Sequence, residues 1–178
     1  MQVPYVDFVF RENGEFVTRT SKEIFTGKRV VVFALPGAFT PTCTNQQLPG
    51  FEAAYDEIKG YGVDEVYCLS VNDPFVMNAW FDSLNITKVK ALPDGNNAFT
   101  SNIKMSVSKE NLGFGLRSWR YAIVINDGNV EWAGVEEGQR NLASDDPYEA
   151  STPDRVVQYL QAKQEQESQI ETKEAVPV

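Results

Sequence analysis

The run Val30-Val31-Val32-Phe33-Ala34-Leu35 constrains this chain more than any other stretch. Six consecutive apolar residues between Arg29 and Pro36-Gly37 predict a strand buried on both faces, because neither side of the extended chain carries a polar stripe. Such a strand needs a covering layer on each side of its sheet. The rest of the chain supplies layers in alternation. Leu48, Phe51, Tyr55 and Ile58 recur at steps of three and four, which predicts a helix ending near Gly60. Pro49-Gly50 predicts a kink early in it, since Pro49 lacks a backbone donor. Glu65–Val71 reads as a second central strand, and Asn72-Asp73-Pro74 caps a helix carrying Phe75, Val76, Ala79 and Trp80.

Before the central strand, Val6, Phe8 and Phe10 share one face of an extended run, Asn13-Gly14 is a turn, and Phe16-Val17-Thr18 returns. An N-terminal hairpin is expected. Thr20-Ser21-Lys22-Glu23 resembles a capping box that opens a short helix through Phe25, closed at Gly27. Later, Lys90–Pro93 predicts a short strand, 97–104 a short helix, and 105–117 a loop. Tyr121–Ile125 and Val130–Ala133 flank Asn126-Asp127-Gly128-Asn129, a second hairpin signal. Residues 134–150 are acidic and irregular, and Ser151-Thr152-Pro153 starts a last helix with Val156, Val157 and Leu160 inward. The apolar spacing then fails, so 164–178 is expected to be a polar flexible tail or linker. The pattern as a whole predicts one α/β domain over 1–163, a central mixed sheet flanked by helices.

Composition matters here for what it excludes. The net charge of -9, with no Lys/Arg cluster, argues against a nucleic-acid partner. No apolar run approaches the length of a membrane span, and residues 1–20 lack a secretory pattern, so a cytoplasmic protein with no membrane partner is expected. Cys43 and Cys68 are the only cysteines, too few for a disulfide scaffold and without metal-ligand spacing; reduced thiols, no metal and no cofactor are expected. The chain contains no histidine, which removes Ser/His/Asp triads, Cys/His proteases and His-ligated metal sites together.

What remains as chemistry is Pro36-Gly37-Ala38-Phe39-Thr40-Pro41-Thr42-Cys43, where a hydroxyl and a thiol lie three residues apart between the buried strand and the next helix. A cysteine in the first turn of a helix meets unpaired N–H groups and the positive end of the dipole, both of which favour the thiolate. Ionising a free thiol completely raises its thiolate population only roughly thirtyfold, about 2 kcal/mol. Fast chemistry therefore also needs donors aimed at charge developing on a leaving oxygen, worth about 3 kcal/mol for one donor. Thr40, the Cys43 N–H and an arginine are the candidates. The bland alternative for Cys43 is a buried helix-start cysteine.

Pro36-x-x-x-Thr40-x-x-Cys43 resembles the active-site signature of the peroxiredoxins. The longer match of residues 35–43 with Leu48-Pro49-Gly50 is similar to the type-five branch, in particular to the peroxidase portion of peroxiredoxin-glutaredoxin hybrids. Cys68 to Asp73, Pro93 to Asn96, Gly113-Phe114-Gly115 and Arg117 to Tyr121 extend the resemblance over residues 3–162. It implies a thioredoxin-like fold, a homodimer, and reduction of hydrogen peroxide or organic hydroperoxides. By the same resemblance Cys43 is the peroxidatic cysteine, Thr40 holds the peroxide and the thiolate, Pro36 packs over the sulfur, and Arg120 fills the arginine position, with Arg117 as the alternative.

Two departures qualify that pattern. Gln47 stands where relatives often carry histidine, so no proton carrier is needed there. No cysteine follows Cys68, which reads as an inert core thiol in mid-strand, so the cycle resembles the one-cysteine kind, with glutathione, glutaredoxin or thioredoxin as external reductant. A redox-sensing or chaperone-like interaction protein is the alternative function on this scaffold, and a dithiol oxidoreductase is disfavoured because residues 40 and 46 are Thr40 and Gln46. Phe39, Phe114 and Trp119 are candidates for an apolar entrance, a dimer contact or the core. Trp80 and Trp132 read as core or interface, and Asp145, Asp146 and Glu149 as part of a solvated loop.

Overall fold

A computed structural model describes residues 1–176. Strands β1 (Asp7–Glu12) and β2 (Glu15–Thr20) form the N-terminal hairpin. Asn13 and Gly14 both adopt positive φ there, the backbone that a two-residue turn between right-twisted strands requires. Thr20 and Glu23 exchange side-chain and backbone hydrogen bonds to start α1 (Ser21–Phe25), the capping box expected. The chain then enters β3 (Arg29–Leu35).

The helical segment after β3 begins at Pro41, widens to a π-turn over Cys43–Gln47, and continues as α2 (Leu48–Gly60). The predicted kink is thus a widened turn on the N-terminal side of Pro49. Leu48 N–H reaches back to the Cys43 carbonyl, and the proline falls in the first turn of α2, where its missing donor matters least. β4 (Glu65–Ser70) leads through the Asp73 cap into α3 (Pro74–Ser83). Its inward side is Pro74, Met77, Trp80 and Phe81, whereas Phe75 and Ala79 face solvent.

β5 (Lys90–Pro93) and α4 (Ala98–Asn102) follow, and then residues 105–117, expected to be a loop, build a small hairpin. Its strands β6 (Ser106–Ser108) and β7 (Leu116–Ser118) are three residues each, too short to leave a period in the sequence. β8 (Tyr121–Asn126) and β9 (Asn129–Val135) turn at Asp127-Gly128. The last helix, α5 (Pro153–Glu174), does not stop where its apolar face does. Residues 164–174, expected to be a flexible tail, continue it as an exposed polar helix; Pro177 and Val178 of that tail lie outside the described residues. Glu, Gln and Lys are good helix formers, so the turn-to-turn hydrogen bonds propagate from the packed part without a buried stripe.

The central sheet runs β5-β4-β3-β8-β9, parallel across β5, β4 and β3 and antiparallel beyond. β3 lies in the middle, and its alternate residues serve two cores. Val31, Phe33 and Leu35 meet residues of α2, α3 and α5, including Phe51, whose ring stacks on Phe33 with centroids 3.9 Å apart. Val30, Val32 and Ala34 meet Phe8, Phe25 and Phe99 from the hairpin, α1 and α4. The apolar run is continuous because both faces are covered.

Candidate active site

Because β3 is central and ends at Leu35, whatever follows it is delivered to the edge of the packed core. Residues 36–40 make that turn under strain: Phe39, 56% exposed, holds φ at +64°, a region that bulky side chains rarely occupy. The loop is pinned from β4, where the Asn72 side-chain oxygen accepts from Ala38 N–H at 3.0 Å and from the Ser70 hydroxyl at 2.5 Å. Cys43 follows as the third residue of the helical segment, fully buried. Trp80, a core residue as expected, donates its indole N–H to the Thr44 hydroxyl and braces that turn.

Arg120 reaches the same point from the other side of the sheet's end, immediately before β8. Its side chain is 2% exposed, and Nη1 donates to Cys43 Sγ at 3.4 Å and to Gln47 Oε1. Nη2 donates to Asp146 Oδ1 at 2.5 Å. Burial disfavours the cation, but the charge of Cys43 and then of Asp146 outweighs it, and the guanidinium is pushed up from its ordinary value. Arg120 Nε is buried and has no partner among the described residues.

Arg117 converges too, but on backbone: Nη1 donates to the Pro36 carbonyl at 3.0 Å and Nε to the Phe114 carbonyl at 3.1 Å. A side-chain carbon at residue 37 would lie 2.5 Å from Arg117 Nη1, so Gly37 makes this approach possible. Of the two arginines, Arg120 is the one bonded to the thiol. Pro36 is buried beside them and contributes its carbonyl to Arg117. The Thr40 hydroxyl donates to the Gly37 carbonyl at 2.7 Å, not to sulfur as expected.

Gln47 and Asp146 join the site although the sequence reading assigned neither a role in it: Gln47 was expected only to replace a proton carrier, and Asp146, expected in a solvated loop, is bonded to Arg120 instead. Gln47 is fully buried, four residues after Cys43 on one helical face, and its Nε2 donates to the Ala34 carbonyl at 3.4 Å. That spacing was a usable signal. Asp146 sits in the irregular 136–151 segment, where no period marks a residue's direction. Cys68 is buried on β4 opposite Phe33, and burial pushes its thiol well above the ordinary range. Trp119 packs with Val107 and Ala143, while Phe39 and Phe114 stay nearer the surface.

The arrangement brings together a buried thiol, a guanidinium with a spare buried donor, and a hydroxyl whose oxygen can still accept. Chemically it can stabilise a thiolate and the negative charge formed when a bond to oxygen breaks. The Redoxin family pattern matches residues 2–151. Peroxiredoxin y4vD of Sinorhizobium fredii is 51% identical over 168 residues, covering 89% of each chain. Hybrid peroxiredoxin hyPrx5 of Haemophilus influenzae is 43% identical over 159 residues, 89% of this chain and 64% of that protein. The crystal structure of the Plasmodium falciparum antioxidant protein, a 1-Cys peroxiredoxin, superposes with a TM-score of 0.87 at 34% identity, over 91% of this chain and 97% of that one. This chain belongs to the peroxiredoxins, thiol peroxidases of thioredoxin-like fold, and within them to the type-five, one-cysteine kind.

Proposed function

We propose that Cys43 is the thiolate that attacks hydrogen peroxide or a small organic hydroperoxide, and that an external thiol, glutathione or a glutaredoxin, regenerates it. The observation that carries this reading is the 3.4 Å hydrogen bond from the buried Arg120 to Cys43 Sγ. The sulfur attacks the terminal peroxide oxygen; an S–O bond forms, the O–O bond breaks, and the departing oxyanion takes a proton to leave as water or alcohol. Sulfur is oxidised by two electrons to a sulfenic acid and the peroxide is reduced by two. Arg120 stabilises both the thiolate and the departing oxygen. Thr40, whose hydroxyl proton is engaged by Gly37, accepts the O–H of the peroxide and so orients it. Pro36 keeps the sulfur from bulk water.

Resolution from outside is favoured because Cys68, the single other cysteine, lies within β4 opposite Phe33 with its thiol held protonated. Free thiols at both positions suit a reducing compartment such as the cytoplasm. A homodimer fits the exposed Leu112, Leu116 and Leu142 on the small hairpin and the segment packed on it. The test is peroxide consumption by the reduced protein with glutathione, glutaredoxin and thioredoxin supplied separately. Turnover with the first two, and none in Cys43→Ser, is expected; full activity of Cys43→Ser would overturn the reading.

A further inference from the structure

The Arg120 guanidinium is held at three points, and one of them is on the outside of the protein. Cys43 and Gln47 are fully buried, whereas the Asp146 side chain is 44% exposed. Asp146 belongs to residues 136–151, a strap without regular structure whose two ends are tied at one residue. Glu136 N–H donates to the Arg120 carbonyl at 3.2 Å, and Trp119 Nε1 donates to the Glu136 carbonyl at 2.7 Å. The Glu136 carboxylate accepts from the N–H groups of Glu149, Ala150 and Ser151 and from the Ser151 hydroxyl. The neck lies against glycine: a side-chain carbon at Gly134 would meet the Ala150 carbonyl oxygen. The strap therefore comes back over Arg120, and it also places Tyr148, whose ring centroid is 5.7 Å from the guanidinium carbon.

We propose that Asp146 is a positioning residue for peroxide cleavage, an ionic tether from the strap that, with Gln47, fixes the Arg120 fork so that Nη1 faces Cys43. The inference rests on Cys43 being the attacking sulfur. A single bond from Gln47 leaves the planar guanidinium free to pivot, and a second anchor on the other nitrogen removes that freedom. Without the tether the positive charge stays near the sulfur but its aim at the departing oxygen is lost. Aim matters for breaking the O–O bond and not for alkylation, in which halide leaves and no oxyanion forms.

The experiment compares two reactions of Cys43 in the full-length reduced protein: oxidation by hydrogen peroxide and alkylation by iodoacetamide. Asp146→Asn is expected to slow oxidation about tenfold while alkylation stays within about threefold. Asp146→Glu should recover most of the oxidation rate. In the unmodified protein, raising salt from about 0.05 to 0.5 M should slow oxidation about twofold, an effect absent in Asp146→Asn, because the half-exposed tether is screened and the buried thiol pair is not. An unchanged oxidation rate in Asp146→Asn, or an equal fall in both reactions, overturns the proposal. Cys43→Ser run alongside separates this from failure of the underlying reading: if that variant still consumes peroxide, the attacking sulfur has been misassigned.

Discussion

Cys43 and Cys68 are both fully buried and belong to one hydrophobic cluster. They differ in what surrounds the sulfur. Cys43 lies past the end of β3 in a helical first turn, with a guanidinium donating to it; Cys68 lies inside β4 among side chains, where burial holds the thiol neutral. Depth alone does not make a thiol inert. A position within regular strand supplies no donor, and a position where the backbone leaves the sheet can receive one from another strand.

The largest expected difference is between the two cysteine substitutions. Cys43→Ser should lose peroxidase activity outright, while Cys68→Ala should keep it within about twofold and cost about 1 kcal/mol of stability for the lost packing. Steady-state peroxide consumption and urea unfolding measure the pair; comparable losses of activity in both would erase the distinction. Next, Arg120→Met removes the donor that separates the two environments. The oxidation rate of Cys43 should fall roughly 10²-fold, about 3 kcal/mol, leaving Cys43 closer to Cys68 in reactivity. Stopped-flow fluorescence of the reduced protein reads this directly.

Glu136 sharpens the comparison from the strap that covers the Cys43 side only. Burial would raise its carboxyl, but hydrogen bonds from Ser151, Ala150 and Glu149 outweigh that and hold it below the usual carboxylate range. A folded value below the unfolded one, about 4.3, gives stability that is present above that pH and lost as pH falls through the folded value. Glu136→Gln should therefore cost roughly 1–3 kcal/mol at neutral pH and flatten the acid side of the stability profile below about pH 4.5. Thermal unfolding across pH 3–7, within about half a unit, would show it. The smallest effect is at Phe39, whose positive φ has no counterpart at Cys68. Phe39→Gly should be stability-neutral or stabilising by up to about 1 kcal/mol, since glycine relaxes the turn while loosening the unfolded chain. A loss of more than that in the same unfolding assay would mean the exposed ring is doing structural work.

Much of the fold was legible because β3, α2 and β4 are buried in a regular way, and regular burial leaves a period in the sequence. The strap and the small hairpin carry no such period. The first is fixed by one carboxylate gathering backbone N–H groups, the second by strands of three residues. The site divided along the same line. Pro36, Thr40 and Cys43 stand in one contiguous stretch, and Gln47 one turn later could have been read from helical spacing. Asp146 could not, since its meeting with Arg120 depends on a loop closed at Glu136. On α3 residue type alone did not mark the facing: Trp80 is buried, while Phe75 and Ala79, equally apolar, lie on the side turned to solvent.

The most direct measurement is to expose the reduced protein to one equivalent of hydrogen peroxide with a sulfenic-acid trap, then locate the adduct by peptide mass analysis. The environments described predict the trap on Cys43 alone, with Cys68 recovered as a free thiol after unfolding. An adduct on Cys68, or a Cys43–Cys68 disulfide formed without unfolding, would contradict them.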